Sequence, residues 1–324
     1  MIDDVLAQPH QIGDALWRID AAGIAPFETP GGLVVCGMGG SAIGGDLAAA
    51  AIGDRAKHPI RTVRGYCIDS DVGPGTLVLC ASYSGETEET LACFDAAGEA
   101  GAQLVVVTTG GALAERAREH GVPVIGVPSG MQPRAAVVYM TLAALECAAA
   151  SGAAPSLRAE IEATPAVLEE LADSCGADDF ARALEDTLPV VYGAGPTAAV
   201  ARRWKTQLNE NAKIAAFASE IPEASHNEIE GWGRSLDLAP LSAVFLHTPN
   251  LHPRLEQRME LMADRLAEAS APVVRIDACG DSQVAHVLSL TMIGDLVSVS
   301  LAELAGIDPM PVDAIERFKA ALKP

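Results

Sequence analysis

Three hydroxyls crowd one glycine in the stretch "SYSGETEET", where Ser82, Ser84 and Thr87 surround Gly85 just ahead of Glu88 and Glu89. Hydroxyls beside the free N–H groups of a helix start can each donate a hydrogen bond to a phosphate dianion without a cation nearby. The glutamates need no ligand to explain them, because acids in a first helical turn complement the helix dipole. A second turn, "CGMGGSAIGG" from Cys36 to Gly45, places Ser41 directly after Gly39 and Gly40. It also satisfies the dinucleotide pattern as Gly37-x-Gly39-x-x-Ala42, in which glycines let the backbone approach a pyrophosphate. A dinucleotide site needs an acid at the end of the next strand, about twenty positions on, for the ribose hydroxyls. That strand end reads "RTVRGY", which holds no acid, and Arg64 alone stands there to meet a 2′-phosphate. With the hydroxyl loop beside it, the turn reads better as part of a cradle for one sugar-borne phosphate.

For the two turns to face one crevice, both must sit at the C-terminal ends of parallel strands. From Leu33 to about Ala150 the runs "LVVCG", "PIRTV", "TLVLCAS", "QLVVVTT" and "VPVIGVP" alternate with Ala-rich or amphipathic stretches. Near-continuous Val/Ile/Leu strands with helical crossovers predict an α/β domain, a parallel sheet flanked by helices in a doubly wound, flavodoxin-like arrangement. "SGAAPSLR", Ser151 to Arg158, breaks the rhythm. The expected division is therefore an N-terminal domain with a leading helix at 1–152 and a C-terminal domain at 153–324. After an amphipathic stretch from Ala159 to Leu184, a second cycle runs through "PVVYGAG", a helix over 196–212, "SAVFLHTP", a helix over 251–269 and "APVVRID". "VVYGAGPTAAVARRWK" repeats the design of "LVVCGMGGSAIGGDLA", which suggests an internal duplication. Val284 to Ala305 reads as a long apolar helix, and the last residues read as a turn and a short helix with Asp308 as N-cap and Pro309 at its first position.

Composition excludes several partners. A formal net charge of −21, with no cluster of Lys and Arg, argues against nucleic acid, whose backbone demands such a cluster. Acidity does not forbid a small anion, which backbone N–H groups can bind locally. Seven cysteines without a C-x-x-C pair fit reduced thiols and predict a cytoplasmic protein, with Cys36 and Cys80 acting as small hydrophobes in strands. The N-terminus, with two acids in its first four residues, predicts no signal peptide, and no uncharged apolar window near 18 residues is found, so no membrane span is expected.

The two turns resemble those of the sugar isomerase (SIS) domain family, whose signature is a Gly-Gly-Ser turn and an S-x-S-G-x-T phosphate loop. "QPRAAVVYM" from Gln132, "RWKTQLNENAKIAAFASEIPEASHNEIEGW" from Arg203 and "GIDPMPVDAIERFK" from Gly306 narrow the resemblance to the bifunctional phosphoglucose/phosphomannose isomerases. The Ala-rich, acidic composition is similar to that of an actinobacterial branch. The resemblance covers nearly the whole chain and implies two tandem SIS domains, a phosphorylated hexose as substrate, and a homodimer in which His226 reaches the partner's site. It implies no metal and no cofactor.

Residue chemistry fits that implication. Moving between an aldose and a ketose phosphate requires ring opening and then proton transfer between C1 and C2 through a cis-enediol. His226 of "SHNEIEGW" can exchange a proton near neutral pH, as ring opening needs. Glu210 of "NENAK" stands where the family carries its base, and Arg134 of "QPRAA" can supply a permanent cation to the enediolate. Lys319 matches the family's C-terminal lysine, which assists ring opening. Each has an ordinary alternative, such as a Glu210–Lys213 surface pair on a helix or Lys319 as a partner of a helix C-terminus. Gly39, Gly40, Ser41, Ser82, Ser84 and Thr87 are the expected phosphate and sugar contacts. The expected activity is isomerisation of glucose 6-phosphate and fructose 6-phosphate; the rival is a sugar-phosphate-binding regulator without turnover. Some family members carry a Thr or Ser hydroxyl in the final segment to accept both C2 epimers. Residues 306–324 contain none, with Met310 and Val312 at those places, which counts against mannose 6-phosphate.

Overall fold

A computed structural model describes residues 1–322. The chain forms, in order, α1 (Ile2–Leu6), α2 (Gln8–Ala22), β1 (Leu33–Gly37), α3 (Gly39–Ile52), β2 (Ile60–Val63), β3 (Leu77–Ala81), α4 (Glu88–Glu99), β4 (Gln103–Thr108), α5 (Gly111–Glu119), β5 (Val124–Gly126), α6 (Val137–Ala150) and α7 (Arg158–Ser174). There follow α8 (Ala177–Leu184), β6 (Leu188–Ala194), α9 (Pro196–Glu210), β7 (Phe217–Ile221), α10 (Glu228–Leu236), β8 (Leu241–His247), α11 (Pro253–Glu268), β9 (Val273–Asp277), α12 (Gln283–Leu304) and α13 (Asp313–Leu322). Two compact units result. One gathers Asp3–Ser174 with Ala278–Leu290, and the other gathers Met1–Ile2, Cys175–Asp277 and Thr291–Pro324.

In the N-terminal unit all strands are parallel, in the order β2-β1-β3-β4-β5. Strands β1 and β3 are buried at every position, as their unbroken apolar runs demand when helices cover both faces. One face packs Val34, Cys36, Val78, Cys80 and Val106 against Cys93, Phe94 and Ala97 of α4 and Leu113 and Ala117 of α5. Cys36 and Cys80 are register partners without exposed surface, and burial pushes the Cys80 thiol up. Helices α3 and α6 pack against each other and against the strands. Helix α7 belongs to this unit, tied to α2 by the ion pair of Arg158 with Asp20 at 2.7 Å. The units thus differ from the expected division at 152/153 over residues 153–174 and 278–290.

The C-terminal unit holds the parallel order β7-β6-β8-β9. Its core stacks Tyr192 on Phe245 at 5.0 Å between ring centroids, against Trp232, Met259, Met262 and Leu266. Strand β7 is an edge strand with one buried residue, Ile221, and the sequence pattern did not anticipate it. Helix α12 is the one described helix long and apolar enough to cross a membrane, although Asp295 and Glu303 keep it from being an uncharged apolar window. It has 22 residues with a mean hydropathy of 1.7 in its most apolar window, of which 94% is buried within the protein. A correction concerns Asp308, which caps a turn by accepting the Met310 N–H at 2.9 Å, while α13 begins only at Asp313.

Candidate active site

The strand order of the N-terminal unit reverses between β1 and β3, and in open α/β sheets ligands bind at such a point, beyond the strands' C-terminal ends. Strands β1 and β3 end level, with Gly37 and Ala81 as register partners, so both turns emerge side by side. They touch. Ser41 Oγ accepts the Tyr83 N–H at 3.2 Å, and Ser82 and Thr87 share a hydroxyl–hydroxyl bond of 2.8 Å. Ser82 Oγ also accepts the Gly85 N–H, and Ser84 Oγ accepts the Glu86 N–H. A hydroxyl that accepts from the backbone still has its own proton to donate, which suits an anionic guest. Thr87, the N-cap of α4, shares its hydroxyl bond with Ser82 and does not cap the helix's first N–H groups with its side chain. Those amides are the usual docking points of a phosphate.

The loop's shape depends on glycine. Gly85 has φ 71°, and a Cβ on it would stand 1.9 Å from the Gly110 carbonyl oxygen. The acids nearby are engaged sideways: Glu86 accepts the Ala112 N–H at 2.9 Å, and Glu88 accepts the Tyr66 hydroxyl at 3.4 Å.

Arg134 joins this cluster through backbone packing. A Cβ on Gly40 would lie 3.1 Å from Arg134 Cα and 3.1 Å from the Pro133 carbonyl oxygen, so the turn lies close against the arginine loop and a side chain there would push it back by a few tenths of an ångström. The Arg134 side chain is 2% exposed and donates to Gln132 Oε1 at 3.2 Å. Tyr83, which sequence reasoning passed over, organises the whole arrangement. Its N–H reaches Ser41, its carbonyl accepts the Thr109 N–H, and its hydroxyl donates to the Pro128 carbonyl and accepts the Met131 N–H, each at 3.0 Å. Burial raises the phenol's pKa, which keeps it a donor. Its only sequence signal was an aromatic ring in the middle of a polar loop. Arg64, the residue left for a 2′-phosphate, pairs instead with Asp46 of α3 at 2.6 Å.

The other expected residues lie in the C-terminal unit. Helix α9 buries Thr197, Val200, Ala201, Trp204, Gln207 and Leu208, the stripe its period imposes, and leaves Glu210 half-buried at its last position. The stripe is held by a buried ion pair, Arg203 Nε and Nη2 to both oxygens of Asp295 at 3.0 and 2.9 Å, and by Asn211 donating to Ser298 Oγ at 2.9 Å. Lys213, which could have been a helix surface partner of Glu210, lies beyond the end of α9. Its Nζ donates to the Glu210 carbonyl and to the carbonyls of Pro309 and Pro311.

His226 is exposed, on a loop fixed from several sides. Arg258 donates to Ser225 Oγ at 2.8 Å, and Asn227 Nδ2 to Glu223 at 2.7 Å. Glu228 accepts the hydroxyls of Tyr192 and Ser219, with Trp232 Nε1 donating to Tyr192 at 2.9 Å. Helix α9 crosses back between the parallel strands β6 and β7, so Glu210 precedes β7 at the strands' N-terminal end and His226 follows it at the C-terminal end. Five strand residues separate those ends by about 15 Å. Lys319 is exposed on α13, none of whose residues is buried.

Comparison with known proteins agrees with this architecture. Residues 175–322 match the family model of the bacterial phospho-glucose isomerase C-terminal SIS domain. The chain is 37% identical to a bifunctional phosphoglucose/phosphomannose isomerase of Caldicellulosiruptor bescii, over 90% of this chain and 89% of that one. It is 34% identical to the protein of the same name from Aquifex aeolicus, over 95% and 94%. Among solved structures, the C-terminal domain of glucosamine-fructose-6-phosphate aminotransferase from Francisella tularensis superposes with a TM-score of 0.74 at 17% identity, covering 94% of this chain and 96% of that one, a likeness of fold. From its sequence identity along nearly its full length, the chain belongs to the bifunctional phosphoglucose/phosphomannose isomerase family.

Proposed function

We propose that the protein interconverts glucose 6-phosphate and fructose 6-phosphate by a metal-free cis-enediol mechanism, with mannose 6-phosphate the poorer substrate. The observation that carries this reading is the cluster of Ser41, Ser82, Ser84 and Thr87 beside buried Arg134, at the point where the strand order reverses. The hydroxyls and the open amides of α4 take the phosphate, and Gly39, Gly40 and Ser41 orient the sugar's reacting end. With Lys319 assisting, His226 gives a proton to the ring oxygen and takes up the one that the C1 hydroxyl loses, so the chain opens with no net change at the imidazole. The Glu210 carboxylate then removes the proton from C2 of the aldose and returns it to C1 of the enediol, while the O2 hydroxyl proton passes to O1, which yields the ketose. Arg134 meets the negative charge that develops on oxygen.

As the family resemblance implies, His226 serves a second copy of the chain and the working enzyme is a homodimer; the placement of Glu210 and His226 at opposite ends of one sheet is in keeping with that reading. The seven cysteines form no disulfide among the described residues, which supports a reducing, cytoplasmic setting. The test is to incubate purified protein with fructose 6-phosphate in EDTA and to follow aldose formation, with sedimentation alongside. Turnover by a dimer is expected. No aldose refutes the isomerase reading, and full activity from a monodisperse monomer refutes the shared site.

A further inference from the structure

Lys213 follows the end of α9 with a left-handed backbone, φ 58°. That geometry turns its side chain back over the helix end, where the last carbonyls lack intrahelical partners and the dipole is negative. The ammonium donates there to the Glu210 carbonyl, and it donates also to Pro309 and Pro311, whose segment lies about a hundred residues further along the chain. Those two prolines have no N–H to offer, so the segment cannot pair as a strand through them, and their carbonyls call for an outside donor. Downstream, apolar burial contributes little to holding α13. Ile315, Phe318 and Leu322 are 40%, 67% and 58% exposed, and only Ile307, Met310 and Val312, ahead of the helix, are half-buried apolar side chains.

We infer that Lys213 is a positioning residue: its ammonium clips the 307–312 segment to the end of α9 and so sets where Lys319 can reach relative to Glu210. The clip itself rests on the hydrogen bonds above; its catalytic consequence rests on the roles proposed for Glu210 and Lys319.

Hydrogen exchange read by mass spectrometry, without sugar, tests the clip. In Lys213→Met, peptides covering 307–322 are expected to exchange about tenfold faster, the scale of a lost hydrogen bond from a charged group, while β6 and β8 keep their protection. Lys213→Gly suits the left-handed backbone and lacks the ammonium, so it separates strain from the clip and is expected to release the segment equally. Unchanged exchange in either variant overturns the clip. Kinetics with fructose 6-phosphate test the consequence. Lys213→Met is expected to lower kcat about tenfold in an otherwise native chain and by less than about twofold in a Lys319→Met background, because both changes act through one group. Equal losses in the two backgrounds overturn the positioning role. A native protein without turnover removes that role together with the isomerase reading, while the exchange result still decides the clip.

Discussion

The turns after β1 and after β6 share one design, a strand, a Gly-x-Gly and a helix, and they end differently. After β1, Gly40 offers an amide and Ser41 a hydroxyl, while the Ser41 N–H donates to the Met38 carbonyl at 3.1 Å and the N-cap Met38 provides no side-chain cap. After β6, Thr197 Oγ1 accepts the Ala194 N–H at 2.8 Å, and Pro196 removes an amide at the helix start, so the turn closes on itself. The N-terminal unit therefore keeps backbone donors for an anion. The C-terminal unit puts titratable side chains at the margins of its sheet, Glu210 at one end and His226 at the other. The difference teaches that a repeated backbone motif predicts a fold, whereas function follows from which polar groups are left open.

Several substitutions would break or sharpen that contrast. The C-terminal unit holds α9 through a buried charge pair, so Asp295→Ala takes the carboxylate away from the Arg203 guanidinium in the core. The expected loss is about 3–5 kcal/mol in urea unfolding, and a loss within error would show that α9 does not depend on the pair. In the N-terminal unit the organiser is Tyr83. Tyr83→Phe strips partners from the Pro128 carbonyl and the Met131 N–H, with an expected cost of about 1–3 kcal/mol and a raised KM for sugar phosphate. A native KM would separate the arginine loop from binding.

Gln207, one turn before Glu210, is fully buried with neither amide atom partnered. Gln207→Leu is accordingly expected to gain about 1 kcal/mol in thermal unfolding. A loss of stability would reveal a hydrogen-bonding role. The smallest effect is expected at Asp20, where the Arg158 guanidinium holds the carboxyl below its usual value near 3.8. A lowered carboxylate pKa stabilises the fold above the unfolded value and ceases to do so as pH falls through the folded one. Asp20→Asn should therefore cost less than about 1 kcal/mol at pH 7, with the difference from the native protein vanishing as pH falls through the lowered folded-state value. A difference that persists in acid would exclude the ion pair as its cause.

Much of the scaffold was legible in the sequence because buried parallel strands write themselves as apolar runs; "LVVCG" is β1 residue for residue. Strand β7 escaped because "FASEI" lies at an edge, with one residue buried and no alternation to betray it. The late start of α13 was hidden by Asp308, a capping residue that closes a turn and not a helix. Ser41, Ser82 and Thr87 could be found from residue type alone, since hydroxyls beside glycine have few other uses. Tyr83 could not, because its hydrogen bonds reach segments whose proximity only the sheet creates. The contacts of Lys213 were hidden for a related reason. The i,i+3 rule applies inside a helix, and α9 stops at Glu210.

The central claim is that binding resides in the hydroxyl loops and proton transfer in Glu210. Steady-state kinetics on fructose 6-phosphate, comparing Glu210→Gln with Ser84→Ala, test it most directly. The expected split is a kcat about a thousandfold lower with KM little changed for Glu210→Gln, and a KM about tenfold higher with kcat largely kept for Ser84→Ala. A Glu210→Gln enzyme that turns over at the native rate, or a Ser84→Ala enzyme that loses kcat at constant KM, would contradict the account.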